Sequence, residues 1–410
     1  DVNKAYPGYP GGNNSGFKYQ LDITTIKPGL HTITIQAIGK DGTSTRSGRN
    51  ITIKKDPPLM WIEHPTNQQY IKGDFTLSGW SLNDSGVKEI KIFADNNYDG
   101  IAKRGIARGD VDNAFPGYLD GDKSGFSYLL NTEKYTNSTH VLKVISYGYD
   151  GTISQMSVKV NIINNTIIYS NYNLTLSNMV DIQYNVGAQT DIGGKGWVNA
   201  TKEQIAQYVN PNNFMDDYGK LQFLKLNYTP GVTADDLNNI LKNKGVLTGK
   251  GQQFLDAAWQ YDVSPIYLVS HSLLETGNGA SELSKGILVS DINGQPVTPK
   301  IVYNMFGIGA YSDETGGVNK NGSEYAYTHG WFSVNDAIKG GIAFISQQYI
   351  NNSNTVQNTL YKMRWNPDNP GTHEYASDIG WAYKQINRIK DLISQCKIIQ
   401  LLFDIPRYLN

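Results

Sequence analysis

One stretch of sequence organises the second half of the chain: Ser264-Pro-Ile-Tyr-Leu-Val-Ser-His-Ser-Leu-Leu-Glu-Thr-Gly-Asn-Gly279. It opens with a serine–proline pair, which predicts a helix N-cap followed by the first helical position. Ile266, Val269 and Leu273 then fall at i, i+3 and i+7, the spacing of one apolar helical stripe. The glycines at the end of the stretch predict that the helix stops there.

Glu275 lies in the last turn of this predicted helix, after the apolar pair Leu273-Leu274 and before the glycine turn. A carboxyl that is sheltered by apolar neighbours has a raised pKa and can stay protonated as a general acid. A glutamate at a helix end is otherwise a solvated surface residue, since Glu is rarely buried. The functional hypothesis therefore depends on what surrounds Glu275.

Composition limits the function classes. The 410 residues predict two or three domains, each long enough to bury a core. Tyrosine (27) and glycine (42) are frequent while charged residues make up 18%, which favours extracellular sheets and carbohydrate contact. The net charge of −1 predicts no attraction to nucleic acid, and the absence of a long apolar run predicts no membrane span. The single cysteine, Cys396, excludes an internal disulfide framework.

The first part of the chain contains an internal repeat. Residues 1–54 align without gaps to 110–163, and Asp1-Val-Asn-Lys-Ala-Tyr-Pro-Gly-Tyr9 matches Asp110-Val-Asp-Asn-Ala-Phe-Pro-Gly-Tyr118, an offset of 110 − 1 = 109. Alternating segments at 31–37 and 140–146 each precede an Asp-Gly turn, and further strands are predicted at 75–80 and 87–93.

These patterns predict repeats that each form a small antiparallel β-sandwich. We predict a partial repeat over 1–56, which has only its C-terminal half, and a complete repeat over 57–163. Because the first repeat lacks its front half, we expect the chain to be a fragment of a longer protein with further repeats upstream.

Helical patterning begins after a polar segment, 164–172, that is predicted to be a linker. The fold prediction is therefore multidomain, an N-terminal all-β part followed by a mainly α domain over 173–410. The predicted features of that domain are capping boxes at 201–204 and 233–236, a helix over 251–259, an irregular insert near 287–330 with a hairpin or flap at 313–327, and a last helix capped by Ser377 or Asp378.

Aromatic residues cluster in this domain between 303 and 381: Tyr303, Tyr325, Trp331, Trp365, Tyr375 and Trp381. Each aromatic alone is more often part of a core. Together with carboxylates and the glycine-punctuated turn Tyr303-Asn-Met-Phe-Gly-Ile-Gly309, they predict a groove that binds glycan.

Glycoside cleavage needs one protonated carboxyl and a second group on the opposite side of the sugar ring. Glu275 fits the first role. Glu324, Asp313 and Asp378 are candidates for the second, and their spacing does not choose among them.

Other chemistries lack their motifs. The six histidines, among them His271 and His373, show no His-x-x-His or His-Glu-x-x-His spacing for zinc, and the chain has no Gly-x-Ser-x-Gly elbow. We therefore predict neither a metal site nor an organic cofactor.

Residues from about 173 to 400 resemble the catalytic module of Gram-positive cell-wall autolysins of the glycoside hydrolase 73 type. The motifs that carry the resemblance are Leu-Leu-Glu-Thr-Gly-Asn-Gly ending at 279, Asn-Met-Phe-Gly-Ile-Gly-Ala at 304–310, Gly-Trp at 330–331, Thr-Leu-Tyr-Lys-Met-Arg-Trp-Asn-Pro at 359–367 and Tyr-Ala-Ser-Asp at 375–378. The resemblance implies a lysozyme-like fold and endo-β-N-acetylglucosaminidase activity on peptidoglycan, and the β-sandwich repeats are similar to Ig-like surface modules found beside such catalytic domains. It also implies that Glu275 is the general acid and that Glu324, by its position, is the second acidic residue.

The substrate-binding residues expected from the resemblance and the aromatic cluster are Asn304, Phe306, Tyr325, Trp331, Trp365, Tyr375 and Trp381. We expect a secreted or wall-associated monomer of a Gram-positive bacterium that binds glycan strands and, through its β repeats, other wall polymers.

Two alternatives stay open at this point. A lytic transglycosylase would leave a 1,6-anhydro end, and an adhesin would bind glycan without cutting it. The stereochemistry also stays open, including participation of the substrate's own acetamido group.

Overall fold

The computed structural model describes residues 2–23, 26–191, 193, 196–311 and 317–409. The chain divides into two compact units, Asp1–Ile162 and Ile163–Asn410. The predicted division of the first unit at residue 56 stays a prediction.

The first unit is rich in strands. Its elements are α1 (Val2–Ala5), β1 (Gly29–Ile38), β2 (Ser44–Ile53), β3 (Leu59–His64), β4 (Gln69–Ile71), β5 (Asp74–Leu82), β6 (Val87–Ala94), β7 (Asn97–Ile101), β8 (Lys103–Ile106), α2 (Gly109–Ala114), β9 (Gly125–Asn131), β10 (Thr139–Gly148) and β11 (Ile153–Ile162). The four strands predicted from alternation are confirmed, within β1, β5, β6 and β10.

Two sheets enclose the core of this unit. Their strand orders are β4-β11-β10-β6-β7 and β3-β5-β9-β8, while β1 and β2 pair as a separate antiparallel hairpin. Leu77 and Phe126 of one sheet lie in the same buried cluster as Ile92 and Val144 of the other. Alternate residues of each strand therefore fill a sandwich core, as period-2 patterning predicts.

The sequence repeat is also a local structural repeat. His31 Nε2 lies 2.7 Å from the carbonyl oxygen of Lys27, and His140 Nε2 lies 2.9 Å from that of Thr136. Both histidines sit near the start of a long hairpin strand and contact the carbonyl four residues earlier. The offset is again 140 − 31 = 109 residues.

The second unit is mainly helical. Its elements are β12 (Thr166–Thr175), α3 (Leu176–Asn185), β13 (Gln189–Asp191), β14 (Trp197–Asn199), α4 (Lys202–Val209), α5 (Ala234–Ile240), α6 (Gly251–Gln260), α7 (Pro265–Glu275), α8 (Glu282–Lys285), β15 (Ile287–Ile292), β16 (Gln295–Val302), α9 (Val318–Thr328), α10 (Val334–Ile345), α11 (Leu360–Trp365), α12 (Trp381–Ser394) and β17 (Leu402–Leu409). Within the described parts of the chain, no helix is long and apolar enough to cross a membrane.

Helix α7 runs through the core of this unit. Its predicted cap is confirmed, since the Ser264 side chain accepts a hydrogen bond from the Tyr267 amide and Pro265 follows at the first helical position. Residues 263–270 are all buried, and exposure begins only in the last turn, at Leu274 and Glu275. The capping boxes predicted at 201–204 and 233–236 are also present.

The segment predicted to be a linker is instead a strand. β12 pairs in parallel with β17, with 166–171 opposite 402–407. Ser170 donates a hydrogen bond to the Asp404 carboxylate at 2.8 Å, although the two residues are 234 positions apart. The linker prediction was wrong because a strand of a narrow two-stranded sheet can be as polar as a linker. Its partner strand is distant in sequence, so no local pattern revealed the pairing.

Three smaller predictions are also corrected. The described part of the predicted flap is helix α9, which starts at Val318, and the insert before it is a regular hairpin with an Asn293-Gly294 turn at positive φ. Helix α12 begins at Trp381 after Gly380, whose amide donates to the Asp378 side chain.

A buried ion pair joins the two-stranded sheet of β12 and β17 to helix α11. Lys362 Nζ lies 2.6 Å from Asp404 Oδ2, and the two side chains are 8% and 4% exposed. We expect Lys362→Met to lower the free energy of unfolding by about 3–5 kcal/mol, because it leaves Asp404 buried without its counterion. Urea unfolding of the whole chain measures this.

The control is Lys202→Met, which breaks an ion pair of similar length with Asp181 on the surface. We expect no resolvable change there, and a double variant Lys362→Met, Asp404→Leu to recover much of the loss. A Lys362→Met effect as small as that of the control would contradict the assignment.

Candidate active site

Glu275 lies at the wall of a small pocket between α7 and α12. The pocket has a volume of about 40 Å³. Its lining combines apolar and aromatic side chains with a few polar groups: Tyr267, Ser270, His271, Leu274, Glu275, Leu360, Tyr375, Trp381, Gln385 and Ile389. Glu275 is the only carboxyl group among the described residues that line it.

The Glu275 side chain is about one third exposed, at 35%. Partial burial raises its pKa above the ordinary value of 4.5 by desolvation of the charged form. Among the described residues, no hydrogen-bond donor is found within bonding distance of the carboxyl, and the nearest cationic candidate, His271 Nε2, is 3.7 Å away. The carboxyl is therefore biased towards its protonated form and free to meet a ligand.

The turn over 304–309 holds one side of the site. Gly307 has φ +64°, and a Cβ atom there would lie 2.9 Å from Glu275 Oε2. Gly309 has φ +72°, and a Cβ atom there would lie 2.7 Å from Tyr325. The turn thus passes between Glu275 and helix α9, in a space that only glycine allows at both positions.

Asn304 stabilises this turn from within. Its side-chain amide donates to the carbonyl oxygens of Ile308 at 2.8 Å and Gly322 at 3.2 Å, while its oxygen accepts from the Phe306 amide. Asn304 and Phe306 are both buried, and the Phe306 ring packs edge-on against the His271 ring. Both residues therefore shape the wall behind Glu275.

His271 lies one turn before Glu275 on α7, and its side chain is 9% exposed. Burial lowers its pKa from 6.5 to about 4, so the ring is neutral over most of the pH range. Its Nε2 lies 3.2 Å from the Tyr375 hydroxyl, while Nδ1 is buried and has no hydrogen-bond partner among the described groups. An imidazolium ring would need acceptors for two N–H groups, and among the described residues only the Tyr375 hydroxyl lies within hydrogen-bond distance of the ring.

Tyr375 and Trp381 form the opposite wall. Their ring centroids are 4.7 Å apart, and Tyr349 packs edge-on against Tyr375. The Tyr375 amide donates to the Met363 carbonyl at 2.9 Å, which attaches this wall to helix α11. Burial raises the pKa of the Tyr375 hydroxyl, so it stays a neutral phenol that can donate or accept a hydrogen bond.

The structure places the aromatic residues predicted to bind sugar in three different environments. Tyr375 and Trp381 line the pocket, and Tyr325 lies beyond the 304–309 turn, partly exposed and stacked on His329. Trp365 is 0% exposed and Trp331 is also buried, so no sugar can stack on either ring. Burial gives no support for direct contact of these two, or of the buried Asn304 and Phe306, with sugar, and an aromatic or turn motif alone does not reveal burial. Their part in substrate binding stays a prediction.

The candidates for a second carboxyl do not join the pocket. Glu324 lies on α9, where its carboxylate is 3.8 Å from Lys320 Nζ. The buried Asp378 carboxylate accepts from Lys384 Nζ at 2.6 Å and from the Gly380 amide, so both contacts hold it at the start of α12 and away from the pocket lining. Its catalytic role stays a prediction. Asp313 lies outside the described residues.

The sequence analysis named only Glu275, Tyr375 and Trp381 among the residues that line the pocket, and those it missed include Tyr267, His271 and Gln385. Tyr267, His271 and Glu275 are spaced i, i+4 and i+8, which places them on one helical face. That spacing was a usable signal. For Gln385 the sequence contained no such signal, because only tertiary packing brings α12 beside α7.

Among the described residues, no group of three or more His, Cys, Asp or Glu side chains is arranged to hold a metal ion.

A helical unit with one sheltered carboxyl in an aromatic pocket is the arrangement of a glycoside hydrolase that uses a single general acid. Residues 251–394 match the Glucosaminidase family, described as mannosyl-glycoprotein endo-beta-N-acetylglucosaminidase. The structure is similar to the crystal structures of a major bifunctional autolysin (36% identity, TM-score 0.50, 60% of this chain and 99% of that one) and of Staphylococcus aureus glucosaminidase B (35%, 0.50, 60% and 94%). The chain therefore belongs to the glucosaminidase family.

Curated relatives extend the similarity beyond the second unit. A bifunctional autolysin of Staphylococcus epidermidis is 39% identical over 97% of this chain and 32% of its own length. A beta-N-acetylglucosaminidase of Bacillus subtilis is 48% identical over 52% of this chain and 23% of its own length. The chain thus spans about a quarter to a third of these relatives.

Burial of His271 predicts how stability depends on pH. The unfolded chain protonates this histidine near pH 6.5 and the folded one near pH 4, so the unfolded state binds more protons between these values. We expect His271 to remove about 3 kcal/mol of stability as the pH falls from 6.5 to 4. Urea unfolding of wild type and His271→Gln at several pH values measures the difference.

The control is His329→Gln, which replaces an exposed histidine in the same unit. We expect this variant to lose stability in acid as the wild type does, while His271→Gln loses less. Parallel curves for wild type and His271→Gln would show that the buried ring is not the acid-sensitive group.

Proposed function

We propose that the protein hydrolyses peptidoglycan at the β-1,4 bond on the reducing side of N-acetylglucosamine, with Glu275 as the general acid. One observation carries the proposal: a carboxyl with a raised pKa, without a donor among the described residues, stands in a pocket walled by Tyr375 and Trp381. The similar proteins are named glucosaminidases and autolysins, which supports the choice of this bond as the cleaved bond and of peptidoglycan as the substrate.

The chemistry follows from the protonation state of Glu275. Its carboxyl donates a proton to the glycosidic oxygen as the bond from that oxygen to the anomeric carbon breaks, and the bonding electrons leave with the oxygen. Positive charge then develops on the sugar ring. A water molecule adds to the anomeric carbon, and one of its protons goes to the Glu275 carboxylate, which restores the acid form.

The walls of the pocket assist this step without taking part in proton transfer. The aromatic faces of Tyr375 and Trp381 offer apolar surface to a sugar ring, and the neutral His271 adds no charge beside the carboxyl. Because the acid form of Glu275 is the active one, we expect activity to extend above pH 4.5 and to fall as the pH rises through its raised pKa.

The group that stabilises the positive charge is proposed to be the acetamido group of the substrate. The support is that Glu275 is the only described carboxyl that lines the pocket, while Glu324 faces Lys320. Participation by the substrate needs no second carboxylate at a fixed distance.

The main test replaces Glu275 by its isostere. We expect Glu275→Gln to lower kcat on purified cell walls by roughly 10²- to 10⁴-fold, the range typical of a lost general acid, with the fold intact. Mass spectrometry of the released muropeptides, before and after borohydride reduction, measures the product: wild type should leave reducible N-acetylglucosamine ends.

The matched control is Glu324→Gln, a similar change on the neighbouring helix. We expect its loss to stay well below the ~10²-fold of a general acid. A comparable loss in both variants would assign Glu324 as the second carboxyl. Anhydro-muramic ends would identify a transglycosylase, and unchanged activity in Glu275→Gln would refute the site.

For the first unit we propose retention on the cell wall, in a secreted or wall-associated protein. The support is a set of aromatic side chains that the segment 57–163 exposes on its surface, Trp61, Tyr98 and Tyr149. Exposed aromatic rings of this kind suit contact with sugars and other wall polymers.

This proposal is tested by cosedimentation with purified walls. Both proteins carry Glu275→Gln so that the walls stay intact, and one lacks residues 1–162. We expect the shorter chain to bind the walls about tenfold more weakly. When two wall-binding units are linked, binding of one raises the effective concentration of the other at the wall, and the shorter chain loses this gain. Equal sedimentation of the two proteins would overturn a wall-binding role for the β unit.

A further inference from the structure

A second groove continues from the catalytic pocket along helix α12. It has a volume of about 590 Å³ and shares Leu274 and Gln385 with the pocket of Glu275. The groove is much larger than the pocket, and none of the residues that were expected to bind sugar lines it. It is therefore an extension of the site that the glucosaminidase chemistry leaves unused.

The far side of this groove is fixed to the end of α7 by backbone contact. Gly245 and Gly279 both have positive φ, and a Cβ atom on Gly279 would lie 2.1 Å from the carbonyl oxygen of Lys244. A Cβ atom on Gly245 would lie 2.1 Å from the carbonyl oxygen of Gly279. This close approach places Lys244 at a set position beside the turn that follows Glu275.

The near side is a stripe along α12. Trp381, Gln385 and Arg388 are spaced i, i+4 and i+7, so they lie on one face of the helix. Trp381 lines the catalytic pocket, Gln385 lines both spaces and Arg388 lines the groove. Seven helical residues span roughly 10 Å, so Arg388 stands about that far along the axis from Trp381.

The groove carries uncompensated positive charge. Of its three cations, Lys384 is paired with Asp378 at 2.6 Å, while within the described part of the chain no ion pair is found for Lys244 or Arg388. Asp391 is the one carboxylate among its described lining residues. The remaining polar lining is made of amide side chains: Asn278, Gln385, Asn387 and Gln395.

We propose that this groove binds the peptide that substitutes the glycan, with Lys244 and Arg388 receiving its carboxylates. The inference rests on the proposed function and adds a second part of the substrate. In a peptide-bearing strand the sugars are neutral, because the lactyl carboxyl is bound to the peptide as an amide, and they give the two unpaired cations no partner. The peptide offers carboxylates to Lys244 and Arg388 and backbone amides to the asparagine and glutamine side chains. Peptidoglycan carries such a peptide on every second sugar, adjacent to the bond that would be cut.

The experiment compares two soluble substrates, glycan strands that carry their peptides and the same strands after an amidase has removed the peptides and the lactyl carboxylates that this frees have been capped as methyl amides. The enzymes are the full chain and the variants Arg388→Gln and Lys244→Gln. We expect the wild type to show a higher kcat/KM on peptide-bearing strands, and each variant to reduce this preference by about fivefold to tenfold, mainly through KM. Lys390→Gln is the matched control, since Lys390 lies on α12 over the Tyr218 ring, and it should keep the wild-type preference.

Three results would overturn the inference. The wild type could show no preference for peptide-bearing strands, or the variants could keep that preference. The variants could also lose kcat/KM equally on both substrates, which would mean that the groove binds the sugar. If the wild type cuts neither strand, the proposed function fails. The inference is then tested by measuring how tightly the protein binds each strand. Equilibrium affinity of the Glu275→Gln protein for the two strands, with and without Arg388→Gln, gives the same comparison without hydrolysis. Equal affinities there also overturn the groove assignment.

Discussion

Desolvation at the end of helix α7 is the constraint on which the site depends. The helix is buried along residues 263–270 and emerges only in its last turn, where Glu275 begins to meet solvent. A carboxyl in the buried part would cost several kcal/mol, and one on an open surface would stay ionised. The boundary between core and surface is where a glutamate has a raised pKa and still reaches a ligand.

Glycines with positive φ bring the surrounding loops to this helix end. Gly307 lies against the Glu275 carboxyl, Gly309 against Tyr325, and Gly279 against the Lys244 carbonyl. At each of these positions a Cβ atom would meet another group at 2.9 Å or less. The backbone, rather than side chains, therefore encloses the carboxyl on this side, which leaves the aromatic wall of Tyr375 and Trp381 for the sugar.

The same architecture gives different roles to residues of similar appearance. Trp365 and Trp381 are both tryptophans near the start or end of a helix, yet one is fully buried and the other lines the pocket. Asp378 and Glu275 are both carboxylates within the motif-bearing segments. Asp378 is neutralised by Lys384, whereas Glu275 has no such partner among the described residues.

Membership of the glucosaminidase family agrees with this division of roles. The family match covers 251–394, which contains α7, the 304–309 turn and the wall of Tyr375 and Trp381. The strands β12 and β17 lie outside this range, and the buried Lys362–Asp404 pair attaches them to it. The catalytic segments and the sheet that joins the two ends of the unit are thus separate parts of one core.

Local sequence determined the features that depend on near neighbours. The cap of α7, the position of Glu275 in its last turn, the capping boxes and the strand alternation of the repeats all follow from residues a few positions apart, because hydrogen bonds and side-chain periodicity within one element act at that range. Tertiary structure alone decided the rest. Burial of Trp365, the pairing of β12 with β17, the neutral His271 and the approach of Gln385 and Arg388 to α7 depend on segments distant in sequence, and a side chain's exposure and its charge partners are set only when those segments pack together.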